Sequence, residues 1–258
     1  METTKTGIIL AGGKGTRMTQ LTKDKIPKSL IKVKNRALLY HTLDNFIDND
    51  VKNIIIAASH LYEHIEEEII HYRNKADVEV VVEENQLGTA GAIKNAIESL
   101  SVDSNFFVTY GDTLTSVNLS KIYEFHKNNC PHGVIMALAP IDDYEKDRIV
   151  RLKPDYRISK TIRFPSQKDL NWSAHINKQP LVDAGIYVLN KQSLQLIDQK
   201  IFSTDTFLEK LTKKEMLYGF PTEALYFNVG TPEILYTAEQ KWQKKRQNLL
   251  IPFTSIKQ

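Results

Sequence analysis

A single cysteine, Cys130, stands among 258 residues, which excludes an intrachain disulfide and makes the reducing cytosol the expected compartment. No apolar run approaches the ~20 residues of a membrane span, so no membrane partner is expected. Residues Met1–Thr6 are polar, and the apolar run after them is only about five residues long, too short for a secretory leader. Net charge is also scarce: 34 Lys and Arg against 31 Asp and Glu leave +3, too little to imply nucleic acid. With 41% apolar and 25% charged residues the composition is that of an ordinary soluble globular protein. At this length one large α/β domain is expected over two small ones.

Only 11 glycines are present, yet three of them fall within four positions. The run is Leu10-Ala11-Gly12-Gly13-Lys14-Gly15-Thr16-Arg17-Met18, directly after the apolar Gly7-Ile8-Ile9. Glycine admits positive φ and removes the side chains that block a close approach by an anion. Successive N–H groups can then converge on phosphate oxygens, with Arg17 adding a charged fork. Pro27-Lys28 follows ten residues later and offers a second cation to the same place. The pattern predicts a phosphate site of the kind that holds a nucleoside triphosphate. It is not a Walker loop, because Gly15 follows Lys14 where Ser or Thr should stand. Nor is it the dinucleotide fingerprint, because Met18 occupies the place of the last glycine.

Short β-rich runs alternate with helix-length amphipathic segments. Strands are expected at Gly7–Ala11, Asn53–Ala58, Val78–Glu83 and Asn105–Tyr110, each a Val/Ile/Phe run suited to burial on both faces. Helices are expected at Leu38–Asn49, Leu61–Asn74, Thr89–Leu100 and Leu119–Asn129. The alternation predicts right-handed crossovers and a mostly parallel sheet, with ligands at the carboxyl ends of the strands. The glycine loop, Glu83–Gly91 and Gly111-Asp112 all fall at that edge. In the second of these, Gln86 is placed to hydrogen-bond a base edge, and Thr89 is a candidate N-cap. In the third, a carboxylate beside glycine at a strand end makes Asp112 a candidate Mg²⁺ ligand.

Together these residues resemble the sugar-phosphate nucleotidylyltransferase family, whose signature is L-A-G-G-x-G-T-R-[LM], a spacer and P-K. Leu87-Gly88-Thr89-Ala90-Gly91-Ala92 is similar to the family's loop against the nucleobase, and Gly111-Asp112 to its metal motif. The resemblance implies a Rossmann-like three-layer αβα fold. It implies a single domain over 1–246, with a nucleotide-binding half at about 6–130, an acceptor-binding half at about 131–240, and a C-terminal tail at 247–258. It also implies a Mg²⁺-dependent reaction of an NTP with a sugar 1-phosphate, giving an NDP-sugar for polysaccharide biosynthesis and pyrophosphate. Leu10, Ala11, Gly12, Gly13, Gly15, Thr16, Gln86, Gly88 and Thr89 would bind nucleotide, and Arg17, Lys28 and Asp112 would be catalytic.

The second half carries fewer matches. Asp183-Ala184-Gly185-Ile186-Tyr187 resembles the family's [N/D]-x-G-[IV]-Y strand, implying that Asp183 and Gly185 face the acceptor. Phe227-Asn228-Val229-Gly230-Thr231-Pro232-Glu233 resembles D-[IV]-G-T-P-E, with Asn228 where the second acidic metal ligand should be. The family's F-x-E-K-P lysine is missing. Ser159-Lys160-Thr161-Ile162-Arg163-Phe164-Pro165 stands there, leaving Arg163 or Lys168 to supply the charge. The segment Asp142–Pro180 is polar and aperiodic and is expected to be the acceptor lid.

The residues leave the base open. L-G-T-A-G-A-I is similar to heptose- and mannose-1-phosphate guanylyltransferases, whereas Tyr110-Gly111-Asp112 with Phe125-His126-Lys127 is more similar to glucose-1-phosphate cytidylyltransferases. GTP and CTP are therefore the favoured nucleotides. Two alternatives stand beside this: a cytidylyltransferase for a non-sugar phosphate, and a catalytically silent nucleotide-sensing subunit. Self-association into a homo-oligomer is left open. His60-Leu61-Tyr62-Glu63-His64 matches an inverted zinc motif, but a strand ending near Ala58 would leave His60 outside the helix. The basic Lys241–Arg246 is expected as a solvated helix face.

Overall fold

The computed structural model describes residues 4–13, 15–83, 85–100, 102–141, 144–242 and 250–257. The first half comprises β1 (Thr6–Leu10), α1 (Thr19–Thr22), β2 (Lys32–Val33), β3 (Arg36–Ala37), α2 (Leu38–Asp48), β4 (Asn53–Ala58), α3 (Tyr62–Ile69), β5 (Asp77–Val82), α4 (Gly88–Ser99), β6 (Asn105–Tyr110), β7 (Thr113–Thr115) and α5 (Leu119–Asn129). The second half adds β8 (Val134–Pro140), β9 (Arg148–Leu152), β10 (Ile158–Arg163), β11 (His175–Ile176), β12 (Gln179–Asn190), α6 (Thr204–Lys213), β13 (Leu217–Pro221), β14 (Tyr226–Asn228) and α7 (Pro232–Lys241).

The central sheet runs β5-β4-β1-β6-β12-β8-β13. Pairing is parallel from β5 to β6 and again between β8 and β13; β12 alone is reversed against both neighbours. The sheet is thus mostly parallel, as the alternation of elements predicts. Side chains alternate across it with the two-residue period of a strand. Ile8, Ile55, Phe106 and Val108 face α4 and α6, while Ile9, Ile54, Ile56 and Phe107 face α2, α3 and α5. Both faces are covered, which gives three αβα layers and explains why β1 is buried along its whole length. A third cluster, including Met18, Leu38, Leu114, Val229 and Trp242, pins the glycine loop and α7 to the edge of this core.

Strand β12 reaches beyond the sheet. A bulge between Asp183 and Tyr187 interrupts its pairing with β8, and Gly185 sits there at φ +68°. Past the bulge β12 lies between β6 and β8; before it, Val182 pairs with Ile149 of the β9–β10 hairpin. That hairpin, the 3₁₀ turn Gln167–Trp172 and β11 occupy most of the segment expected as an aperiodic lid; Asp142 and Asp143 lie outside the described residues. Of its strands β10 reads as polar because much of it is solvated: Ile158 is buried, whereas Ser159 and Lys160 are exposed. The helix expected to reach Asn74 stops at Ile69 and tightens into a 3₁₀ turn, Ile70–Tyr72. The expected boundary after residue 246 falls within 243–249, outside the described residues, as do Gln243–Arg246 of the basic run. Beyond it, Leu250 bridges Thr222, Lys257 bridges His175, and Ile251 and Ile256 join the core.

Candidate active site

The glycine loop leaves β1 at Leu10 and stays tied to the sheet through Ala11, whose N–H donates to Ala57 O at 2.7 Å. Gly12 is held by Ser59, whose hydroxyl donates to its carbonyl at 2.7 Å. An added Cβ on Gly13 would find no atom within 4 Å, so that side of the loop is open for a ligand. Gly15 takes φ +63°, the left-handed turn that starts the 3₁₀ segment Thr16–Met18 and leaves Arg17 exposed while Met18 is buried. Lys14 lies outside the described residues. Lys28 opens another 3₁₀ turn after Pro27, and its ammonium pairs with the Asp112 carboxylate. Asp112 is presented by the turn after β6, where the Gly111 N–H donates to Leu10 O at 2.8 Å.

Two clefts open at this edge. The larger, about 720 Å³, is lined by the glycine loop, Lys28, Glu83, Gln86, Gly88 and Ile201. The smaller, about 220 Å³, is lined by Arg148, Arg163, Asp183, Gly185, Asp205 and Asn228, among others. Arg17, Thr89, Tyr110 and Asp112 line both. The structure therefore gathers every candidate site residue at two adjoining clefts, apart from Lys168. That residue lies on the 3₁₀ turn Gln167–Trp172 and lines neither cleft.

The larger cleft contains a carboxylate absent from the candidate set. Glu83 is half-buried, and burial pushes its pKa up, opposed by the Leu87 N–H that donates to it at 3.3 Å. Its position was visible at the end of a predicted strand, but nothing in the sequence distinguishes it from its neighbour Glu84, which lies outside the described residues. Thr89 is not an N-cap. Helix α4 begins one residue earlier, at Gly88, and the Thr89 hydroxyl instead accepts from Thr204 N at 2.8 Å and from Thr204 Oγ1 at 2.6 Å. The Phe202 carbonyl takes the N–H groups of Ala90 (2.9 Å) and Gly91 (3.1 Å). Those two helix-end donors are consumed by protein.

The smaller cleft is a chain of alternating charge. Tyr187 donates to Asp183, the Arg148 Nε lies 3.9 Å from Asp183, Arg148 pairs with Asp205, and Arg163 reaches the same Asp205 at 3.1 Å. Burial raises the Asp183 pKa, while Tyr187, Arg148 and the Gly185 N–H pull the other way. Arg163 pays for partial burial with its pairing to Asp205, which keeps its charge in place. Arg148 and Asp205 escaped sequence reasoning, because an Arg at the start of a short strand and an Asp in a helix's first turn carry no signal of their own.

Asp112 and Asn228 are neighbours: Asn228 pairs in register with Thr113, and the Val229 N–H donates to Asp112 O at 3.1 Å. One carboxylate and one amide oxygen at the mouth of these clefts are hard donors of the kind that suit a water-retaining cation such as Mg²⁺. Among the described residues no three His, Cys, Asp or Glu side chains gather as a metal cluster, and α3 starts after His60.

A family model described as nucleotidyl transferase matches residues 6–245. The mannose-1-phosphate guanyltransferase of Yarrowia lipolytica is 30% identical over 255 residues, covering 95% of this chain and 67% of that protein. The corresponding Saccharomyces cerevisiae protein is 29% identical over 237 residues, covering 88% and 62%. This chain thus spans about two thirds or less of these curated relatives. Among solved structures, HddC from Yersinia pseudotuberculosis superposes with a TM-score of 0.76 at 26% identity, covering 93% of this chain and 100% of that one. A second structure of HddC, complexed with GMP-PN, gives a TM-score of 0.74.

Proposed function

The chain belongs to the nucleotidyl transferase family, and we propose that it joins an NTP, GTP foremost, to a sugar 1-phosphate, releasing pyrophosphate. The observation that carries this reading is the meeting of two clefts at Arg17, Thr89, Tyr110 and Asp112, with Lys28 held on Asp112. A nucleotide in the larger cleft and an acceptor in the smaller one would bring their phosphates together there. An acceptor phosphate oxygen forms the new bond to the α-phosphorus, and the bond from that phosphorus to the β-bridging oxygen breaks. The pyrophosphate carries away the electron pair. No base is required, since the second ionisation of a phosphate monoester lies near pH 6.

The protein's task is to align two anions that repel. Arg17 and the loop amides take the β- and γ-phosphates. Lys28 moves from Asp112 to the α-phosphate and acceptor, where charge builds in the transition state. Asp112 and Asn228 would hold Mg²⁺, which when bound supplies charge to the α-phosphate and leaving oxygens. Arg163 stands in for the missing lysine of the family motif, and Asp183 and Gly185 border the acceptor. A cytosolic location, supported by the single cysteine, completes the reading.

GTP is favoured over CTP for two reasons. One HddC structure, 26% identical to this chain, is complexed with GMP-PN, and the curated relatives are named guanyltransferases. Glu83 offers carboxylate oxygens to the larger cleft, an acceptor group suited to the adjacent N–H donors of guanine; cytosine would set its ring N3 acceptor against the same charge. Calorimetric titration of wild type and Glu83→Gln with GTP and CTP tests this. GTP should bind about tenfold tighter to wild type, with the gap narrowing in the variant. Tighter CTP binding, or a gap that Glu83→Gln leaves unchanged, would contradict the assignment.

A further inference from the structure

Arg148 is the least exposed charged side chain of the smaller cleft, at 8%. A buried guanidinium persists only where its charge and its donors are met. Its charge is met twice, by Asp205 in direct contact and by Asp183 at 3.9 Å from Nε. Its donors are not all met. Of its five N–H groups, NH1 donates to Thr161 Oγ1 at 3.1 Å and NH2 to Asp205; the other three make no hydrogen bond among the described residues. The arginine therefore lies between two carboxylates, facing a cleft, with donors to spare.

The charges decide what it is built to take. Arg148 and Arg163 are balanced by Asp183 and Asp205, so the wall as a whole is neutral. An anionic substituent would meet two carboxylates, and a cationic one would meet two guanidinium groups. A hydroxyl satisfies both partners, because it donates to a carboxylate and accepts from an arginine. A single guanidinium flanked by two carboxylates repeats that arrangement side by side.

We propose that Arg148, with Asp183 and Asp205 on either side, is the acceptor-specificity residue and reads two neighbouring hydroxyls of a neutral sugar 1-phosphate. Each carboxylate accepts one hydroxyl proton, and Arg148 donates to both oxygens. This rests on the sugar 1-phosphate reading above. It adds that discrimination falls on two adjacent positions of the sugar rather than on its overall size. An alkyl or choline phosphate would leave the buried donors of Arg148 without partners and be rejected.

The test is steady-state pyrophosphate release with GTP and a sugar 1-phosphate that wild type turns over. Its monodeoxy analogues and the corresponding uronic acid 1-phosphate complete the series. Removing either of two adjacent hydroxyls should lower kcat/KM about 100-fold or more, and removing any other about tenfold or less. Arg148→Met should lower kcat/KM for the parent about 100-fold and flatten the difference among analogues, with GTP affinity within about twofold of wild type. Asp205→Asn, which keeps the side-chain volume, should relieve discrimination at one of the two positions only. Equal sensitivity at every hydroxyl, a uronic acid preferred to the neutral parent, or an Arg148→Met variant that loses parent and analogues alike would overturn the inference. Turnover without hydroxyl discrimination would sink this inference alone; no release with any sugar 1-phosphate would overturn the functional reading with it.

Discussion

The ammonium of Lys28 rests on the carboxylate of Asp112, 84 positions away in the chain, at the seam between the two clefts. Neither side chain is free in this arrangement, so engaging the substrates means exchanging this pair for contacts with phosphate. Lys28→Ala and Asp112→Ala should each lower kcat about 100-fold or more, while the dissociation constant for GTP changes about tenfold or less. Stopped-flow pyrophosphate release with parallel calorimetry separates the two effects. Near-normal turnover in either variant would remove that residue from the catalytic set.

Asn228 brings an oxygen but no charge to the seam. Asn228→Asp should lower the Mg²⁺ concentration needed for half-maximal activity by about tenfold, since a carboxylate binds a hard cation more strongly than an amide does. A magnesium titration of both proteins checks this, and coincident curves would show that residue 228 does not meet the metal.

Asp183 is pushed by burial above the usual carboxylate range. A raised folded-state value means that the native protein holds this proton more tightly than the unfolded chain does. The associated stability is present below the ordinary value of about 3.9 and is lost as pH rises through the raised one. In the proposed role the ionised form binds the acceptor, so kcat/KM for the sugar phosphate should fall on the acid side at a pH above the ordinary aspartate value. Asp183→Asn should leave an acid limb set by the acceptor phosphate alone, whose second ionisation lies near pH 6, and lower kcat/KM about tenfold to 100-fold. A pH–rate profile whose acid limb is the same in wild type and variant would contradict the role.

Two glycines lining the larger cleft should behave in opposite ways. Gly88 sits at φ +72°, and an added Cβ would lie 2.7 Å from Phe202 O, a backbone atom that cannot swing aside. Gly88→Ala should cost about 1–3 kcal/mol, a fall of several degrees in Tm. Gly13 has open space beside it, so Gly13→Ala should leave Tm unchanged and weaken GTP binding about tenfold. Differential scanning fluorimetry with calorimetry reads both. The reverse pattern would mean that the loop does not approach phosphate.

The sheet was legible because its strands are apolar on both faces: the spans expected at Asn53–Ala58 and Asn105–Tyr110 are β4 and β6 residue for residue. The glycine loop, Lys28 and Asp112 were legible because each sits in its own short motif: the glycine run, Pro27-Lys28 and Gly111-Asp112. The wall of the smaller cleft was legible only in part: Asp183, Gly185 and Arg163 were named from sequence, whereas Arg148 and Asp205 were not. Arg148, Asp183 and Asp205 come from a hairpin, a bulged strand and a helix, and only folding makes them neighbours. Thr89 misled for the same reason. Its hydroxyl suits an N-cap, but Thr204, 115 residues later, claims it.

The most direct test of the central claim is pyrophosphate release with Mg²⁺, crossing the four NTPs and dTTP against hexose, heptose and non-sugar phosphates. The account predicts release with GTP and a hexose or heptose 1-phosphate, with the matching GDP-sugar as co-product. Silence across the panel from a protein that still binds GTP would contradict it and identify the chain as a nucleotide-sensing subunit.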